Sequence, residues 1–321
     1  MTRRHLLFAA PLLLRAQTPG PPARFQGAFG YHRGRGHAVL FGGQGAGGGL
    51  LGDTWIWDGR RWERFDGQPA PPARAGHAMA YHPSSRLLLL FGGQGAGGPL
   101  NDLWVWNGRE WAAAGQGPMA PRRNHALFTH YENDRVMLTG GYQTGPAQPL
   151  DDVWEWNGRS WRELYAMGPA ARSGMGTAWY GPRKSAVMMG GHAGKLGFRA
   201  DTWLWERSNW NQMLVDQAPP PRYLHTVASL ENRDALLLFG GAGVNGYPLG
   251  DTWIFERQAW KLLELGSAPS ARAGAAAVYD TGRKRVLLFG GAADPAQPLG
   301  DFWSFDGGSW SWTQIGVGRL R

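Results

Sequence analysis

The sequence predicts an all-β fold, a six-bladed β-propeller in which each blade is a four-stranded antiparallel sheet. Three observations carry this. A Gly-Gly pair recurs at 42/43, 92/93, 140/141, 190/191, 240/241 and 290/291, in steps of 50, 48, 50, 50 and 50 residues, and a fixed period of that length marks a repeat architecture. An Asp-x-Trp follows each pair, at Asp53, Asp102, Asp152, Asp201, Asp251 and Asp301, and a further Trp closes each unit at 62, 111, 161, 210, 260 and 310. No helical period shows in the repeat region, while 50 Gly and 18 Trp in 321 residues imply many tight turns joining short strands with large packing side chains.

Ahead of the first repeat, Thr2-Arg3-Arg4-His5 precedes the apolar run Leu6 to Leu14, then Arg15-Ala16-Gln17 and Thr18-Pro19-Gly20-Pro21-Pro22. Basic charge, a short apolar run and a small residue read as an export signal over 1–16, followed by a linker over 17–23, and the run is too short to span a bilayer. The Thr-Arg-Arg-x-Leu-Leu order is similar to a twin-arginine signal. The expected location is the periplasm or the medium, with no transmembrane segment in the mature chain and a monomeric state. Loss of Arg3, Arg4 and Arg15 would lower the formal charge from +9 to +6. Cysteine is absent, which excludes disulfides, thiolate metal sites, cysteine nucleophiles and a lipid-bearing Cys at the cleavage site.

The repeats fill one domain, 24–321, with units at about 24–73, 74–121, 122–171, 172–221, 222–271 and 272–315, each opening on an Arg: Arg24, Arg74, Arg122, Arg172, Arg222 and Arg272. In the second unit the strands are expected at 75–82, 86–93, 102–106 and 110–115. Asn107-Gly108 reads as a tight hairpin turn between the third and fourth, and Asp58-Gly59 and Asn157-Gly158 repeat it. One such sheet cannot bury both faces, whereas six set radially cover one another. Trp104 and Trp106, two apart, share the face that fills the gap between blades. Which strand closes the ring is left open at this level.

Paired glycines ending the second strand, an aromatic third strand, a Trp about six residues beyond it and the 50-residue period together resemble the kelch-repeat family over about residues 24–315. In place of the family's usual Tyr, the third strand carries Trp-x-Trp or Trp-x-Phe.

Gly93, Gly95 and Gly98 match the GxGxxG spacing of a dinucleotide loop, but strand rather than helix follows, no GK[ST] is present, and the other units lose the spacing. Nucleotide binding is therefore excluded as a reading. The six Arg and six Asp in phase are expected to pair within the scaffold, because buried charges persist only when paired. That removes most of the apparent nucleic-acid signal, and no run of basic residues replaces it.

The family resemblance implies a ligand-facing channel mouth at the residue after each glycine pair and at those just past each opening Arg. Carried over, these give Gln44, Gln94, Tyr142 and His192, then Arg123, Asn124 and Tyr223, and one position further His77, His125 and His225. Amides, aromatic rings, an Arg and histidines suit a carbohydrate, a carboxylated small molecule or a peptide, and a protein or glycan partner. No carboxylate joins the histidines, so neither a metal nor another cofactor is expected. Two catalytic relatives of the scaffold bear on the chain. Galactose oxidase needs a Cys, so its copper chemistry is excluded. The sialic-acid mutarotases carry an acidic residue after a glycine pair and a later Arg; here His192 and Arg199 occupy a similar loop, leaving an acid/base epimerase as the enzymatic alternative. A purely structural envelope protein is the third reading.

Overall fold

The computed structural model of the chain describes residues 20–144 and 147–316; the export signal falls outside them. Six sheets of four antiparallel strands are present, each built from one stretch of the chain. In blade 1 these are β1 (Ala28–His32), β2 (His37–Gln44), β3 (Leu50–Trp57) and β4 (Trp62–Phe65), and the other five blades repeat the order. Among the described residues no helix is long and apolar enough to cross a membrane.

The second strands explain why the sequence reads there as an unbroken apolar run. Leu88, Leu89, Leu90 and Phe91 are all fully buried, because a central strand covered by a neighbouring blade on each face has no side to leave polar. Six apolar clusters result, one at each seam. The cluster at the seam between blades 6 and 1 joins Phe29, Leu40, Trp57 and Trp62 to Leu287, Phe289 and Phe302. Burying one such side chain is worth about 1.5–3 kcal/mol, so each seam is a core in its own right.

No strand is exchanged across the closure. The second glycine of each pair donates its amide to the carbonyl of the next blade's opening Arg, as Gly93 does to Arg122 and Gly241 to Arg272, and Gly291 closes the circle on Arg24 at 2.9 Å. Both residues of the pair must be glycine. At Gly92, with φ +62°, a Cβ would stand 2.8 Å from the Arg122 carbonyl oxygen; at Gly93, with φ +98°, it would stand 2.8 Å from the His77 Cβ.

The recurring charges act within each blade rather than across a seam. Arg74 donates to both carboxylate oxygens of Asp102 at 2.6 and 2.7 Å and to the Gly92 carbonyl at 3.0 Å, while Trp104 donates its indole N–H to Asp102 at 2.8 Å. All six units repeat this. Burial alone would raise the Asp102 pKa, but the Arg74 hydrogen bonds and charge hold it below the ordinary carboxylate value.

Two expectations need correction. Asp58-Gly59, Asn107-Gly108 and Asn157-Gly158 do not form two-residue hairpins. They begin four-residue turns, with Trp57 opposite Trp62, in which the Asp or Asn side chain accepts amides two and three residues on, as Asp58 accepts those of Arg60 and Arg61. Two-residue turns with both φ positive occur in blades 4 and 5 at Arg207-Ser208 and Arg257-Gln258, where no glycine flags them. The closing Trp of blade 6 is Trp312, not Trp310. Trp312 stands opposite Phe305 as Trp111 stands opposite Trp106, whereas Trp310 lies in the turn with φ +51°.

Candidate functional site

At the glycine-pair end the two sequence-selected sets meet. The residue after each Arg bridges the residue after the glycine pair of its own blade: Phe25 with Gln44, Ala75 with Gln94, Arg123 with Tyr142, Ser173 with His192, Tyr223 with Ala242 and Ala273 with Ala292. One residue further in, Gln26, Gly76, Asn124, Gly174, Leu224 and Gly274 all have φ between +52° and +65°. Each donates its amide to the carbonyl of the one before it, at 2.7–2.9 Å, and Gln26 donates to Gly274. These six peptides form a closed collar of hydrogen bonds around the channel. Its backbone groups are spent on one another, so recognition at this mouth falls to side chains.

Those side chains divide the mouth. Over Gly76, the Gln26 amide donates to the Asn124 carbonyl oxygen at 3.1 Å. Beside it the Arg123 guanidinium lies 5.7 Å from the Tyr142 ring centroid, a cation–π distance, and the Arg123 Nε has no hydrogen-bond partner among the described residues. On the next two blades His192 and Phe198 meet edge to face at 4.9 Å, and Phe198 and Tyr223 at 5.3 Å. The remaining arc is apolar, with Phe25, Ala242, Ala273 and Ala292 packed under Tyr223 and Leu224.

Several sequence candidates stand elsewhere. The His77, His125 and His225 side chains are buried between blades, not at the mouth: the first two pack edge to face on Phe41 and Phe91 of the preceding blade, and the third lies against Gly190, also of the preceding blade. Burial, with Arg122 or Arg222 adjacent, lowers the pKa of His125 and of His225 to about 3, and burial beside Arg74 puts His77 well below 6.5. They are neutral packing groups. Gln44 and Gln94 turn their amides back onto the Gly48 and Gly95 carbonyls at 2.9 and 3.0 Å. Arg199 leans 3.9 Å toward Asp201, which Arg172 already holds. Among the described residues no group of three or more His, Asp or Glu is placed to hold a metal.

Sequence reasoning missed the opposite end. There a cavity of about 200 Å³ opens between Arg33, Tyr131, Trp179, Ser229, Glu231 and Asp234. Arg33 of blade 1 pairs with Glu231 of blade 5 and lies 4.5 Å over the Tyr131 ring of blade 3, so three alternate blades meet across the channel. The position after the first strand is different in every unit, Arg33, Pro83, Tyr131, Gly181, Glu231 and Thr281. That is the same unit-to-unit variation that marked the glycine-pair end.

The profile of the KLHDC2/KLHL20/DRC7 Kelch-repeats domain matches residues 12–191 and 183–319. No curated protein matches the chain.

Proposed function

The chain belongs to the kelch-repeat family of β-propellers, and we propose that it is an exported binding module whose ligand sits at the glycine-pair mouth. The observation that carries this is the side-chain crown on the collar. Arg123 against Tyr142 supplies a charge and a ring, and His192, Phe198 and Tyr223 supply a half-exposed aromatic wall on rigid backbone. A planar guanidinium suits a carboxylate, and ring faces suit a sugar ring or an apolar side chain. The ligand is therefore read as a carboxylated carbohydrate or a peptide with an acidic group beside an apolar one. Export rests on the basic and apolar order of residues 1–16, and the location is periplasmic or secreted.

The test is a glycan and peptide array on the mature chain, with each hit followed by thermal shift. A ligand at one hundred times its Kd stabilises the fold by about 2.7 kcal/mol, a shift of several degrees. Arg123→Ala and Tyr223→Ala should each abolish the shift without altering the unliganded midpoint by more than about 2 °C. Silence across the array, or hits untouched by both substitutions, would remove the proposal.

A further inference from the structure

In an antiparallel blade the turns joining strands one to two and three to four lie at the same end, opposite the glycine pairs. These turns, with the strand-end residues that flank them, carry sixteen Arg and Lys against ten Asp and Glu, a net of +6; the other described residues carry twelve against fourteen, a net of −2. The positive excess of the propeller is thus on one face. It is also uneven around that face. Blades 1 and 2 together hold six basic and two acidic residues, blade 3 two of each, blade 4 three basic and one acidic, blade 5 two basic and three acidic, and blade 6 three basic and two acidic.

At the seam between blades 1 and 2, Arg35, Arg86 and Arg109 are exposed, and none has an ion-pair partner among the described residues. Arg35 lies across Gly108, where a Cβ would stand 2.5 Å from its Cγ, so it covers the turn that carries Arg109. Arg86 comes to 3.8 Å from the corresponding point on Gly34. Glu110 is the acidic residue of that turn. Three guanidiniums without an ion-pair partner among the described residues share this seam with the single carboxylate of Glu110, while the six arginines that open the repeats are each paired with aspartate.

We infer that this seam is a docking surface for an acidic polypeptide segment. Arginine forks bind carboxylates through two parallel N–H···O bonds, and a patch with unused donors of this kind pairs with a short run of Asp and Glu. A polyanion track would need the charge to continue round the ring, and it is interrupted at the balanced turns of blade 3 and the acidic turns of blade 5. A bilayer surface would need apolar groups to insert, whereas the exposed large apolar side chains, such as Leu196, Leu214 and Tyr247, lie in the loops of the other end or on outer strands.

The experiment uses the full chain and a fluorescently labelled Glu/Asp-rich decapeptide, read by anisotropy at low and raised salt. The peptide should bind at about 50 mM salt and weaken by about tenfold or more at 300 mM, as exposed charges are screened. Replacing Arg35, Arg86 and Arg109 together by Gln should cost about tenfold or more, whereas Arg183, Lys184 and Arg207 to Gln, the same charge removed from blade 4, should cost less than about threefold. Equal losses in the two variants would show a diffuse field and overturn the assignment. So would the absence of peptide binding at low salt, or tighter binding to an oligonucleotide of equal charge or to vesicles of phosphatidylcholine and phosphatidylglycerol.

Discussion

The indole N–H of Trp111 donates to the Thr54 hydroxyl at 3.0 Å, from the fourth strand of blade 2 to the third strand of blade 1. Trp260 and Trp312 make the same bond to Thr202 and Thr252. Where the residue between Asp and Trp is Leu103, Val153 or Phe302, the facing indole N–H of Trp161, Trp210 or Trp62 is buried with no partner among the described residues. One sequence position thus decides the state of an indole on the next blade.

Val153→Thr should therefore stabilise the protein by about 1 kcal/mol by giving the Trp210 indole an acceptor. The reverse change, Thr54→Val, should cost about 1–3 kcal/mol, because it strands a buried donor. Urea denaturation of the two variants measures both. If Val153→Thr destabilises by as much as Thr54→Val, the indole at that seam is not waiting for a partner.

The ring closure makes a second expectation. Arg24 occupies the same position at its seam as Arg122 does at an interior one, with the same contacts to its Asp and glycine carbonyl. Arg24→Ala and Arg122→Ala should each cost about 3–5 kcal/mol by leaving a carboxylate half-buried and unpaired. Guanidinium chloride midpoints with unchanged slopes would record this. A mild effect at Arg24 alone would mean that the first blade tolerates the loss of its Arg–Asp tie.

Acid should weaken the fold well before its carboxylates titrate. The unfolded chain takes up protons on histidine near pH 6.5, whereas folded His125 and His225 resist them down to about 3, and His77 also stays neutral. Between those limits the unfolded state binds more protons, so stability falls as pH falls, by about 1.4 kcal/mol per pH unit for each histidine. Asp53, Asp102, Asp201, Asp251 and Asp301, held by their arginines below the ordinary carboxylate value, add stability that is present above that value and lost only at lower pH. Burial lowers His32, His37 and His130 as well, so unfolding midpoints at pH 7.5, 6.5, 5.5 and 4.5 should slope only below 6.5, and His125→Gln should remove one histidine's share of that slope, about 1.4 kcal/mol per pH unit. A flat profile to pH 4.5 would contradict neutral burial.

The sequence showed most of the scaffold because the scaffold repeats: the glycine pair, the Arg and the Asp-x-Trp each answer a backbone or charge requirement met six times. What it hid was set by partners far along the chain. His77 looked like a mouth residue because its neighbours in sequence are, but its ring fills a gap beside Phe41. The Arg33–Glu231 pair is separated by 198 residues and has no counterpart among the described residues of the other blades. The Asn-Gly and Asp-Gly pairs signal a two-residue turn, but the Asn or Asp side chain caps the amides two and three residues on and draws the pair into a longer one.

Those hairpins give a further test. Arg257 and Gln258 sit at φ +50° and +65° in a two-residue turn, a region that costs most residues about 1–2 kcal/mol and costs Asn and Gly far less. Replacing the pair with Asn-Gly should raise stability by about 1 kcal/mol, measured as a shift in the urea midpoint. No gain would indicate that the replaced side chains contribute contacts of equal weight.

The collar itself can be tested by two substitutions that differ in one respect. Gly76 and Gly174 both lie in it, at φ +64° and +65°, so alanine at either carries a similar backbone cost of about 1–2 kcal/mol. Above Gly76, however, a Cβ would stand 2.5 Å from the Asn124 Oδ1 that accepts the Gln26 amide, whereas at Gly174 the nearest atom is the Leu224 amide nitrogen at 3.2 Å. Gly76→Ala must therefore also displace the Gln26–Asn124 bond, and should cost about 1 kcal/mol more than Gly174→Ala. The difference between the two unfolding free energies isolates that bond. Equal costs would mean that the amide bridge over the channel adds nothing to the ring, and that its two side chains are free to turn toward a ligand.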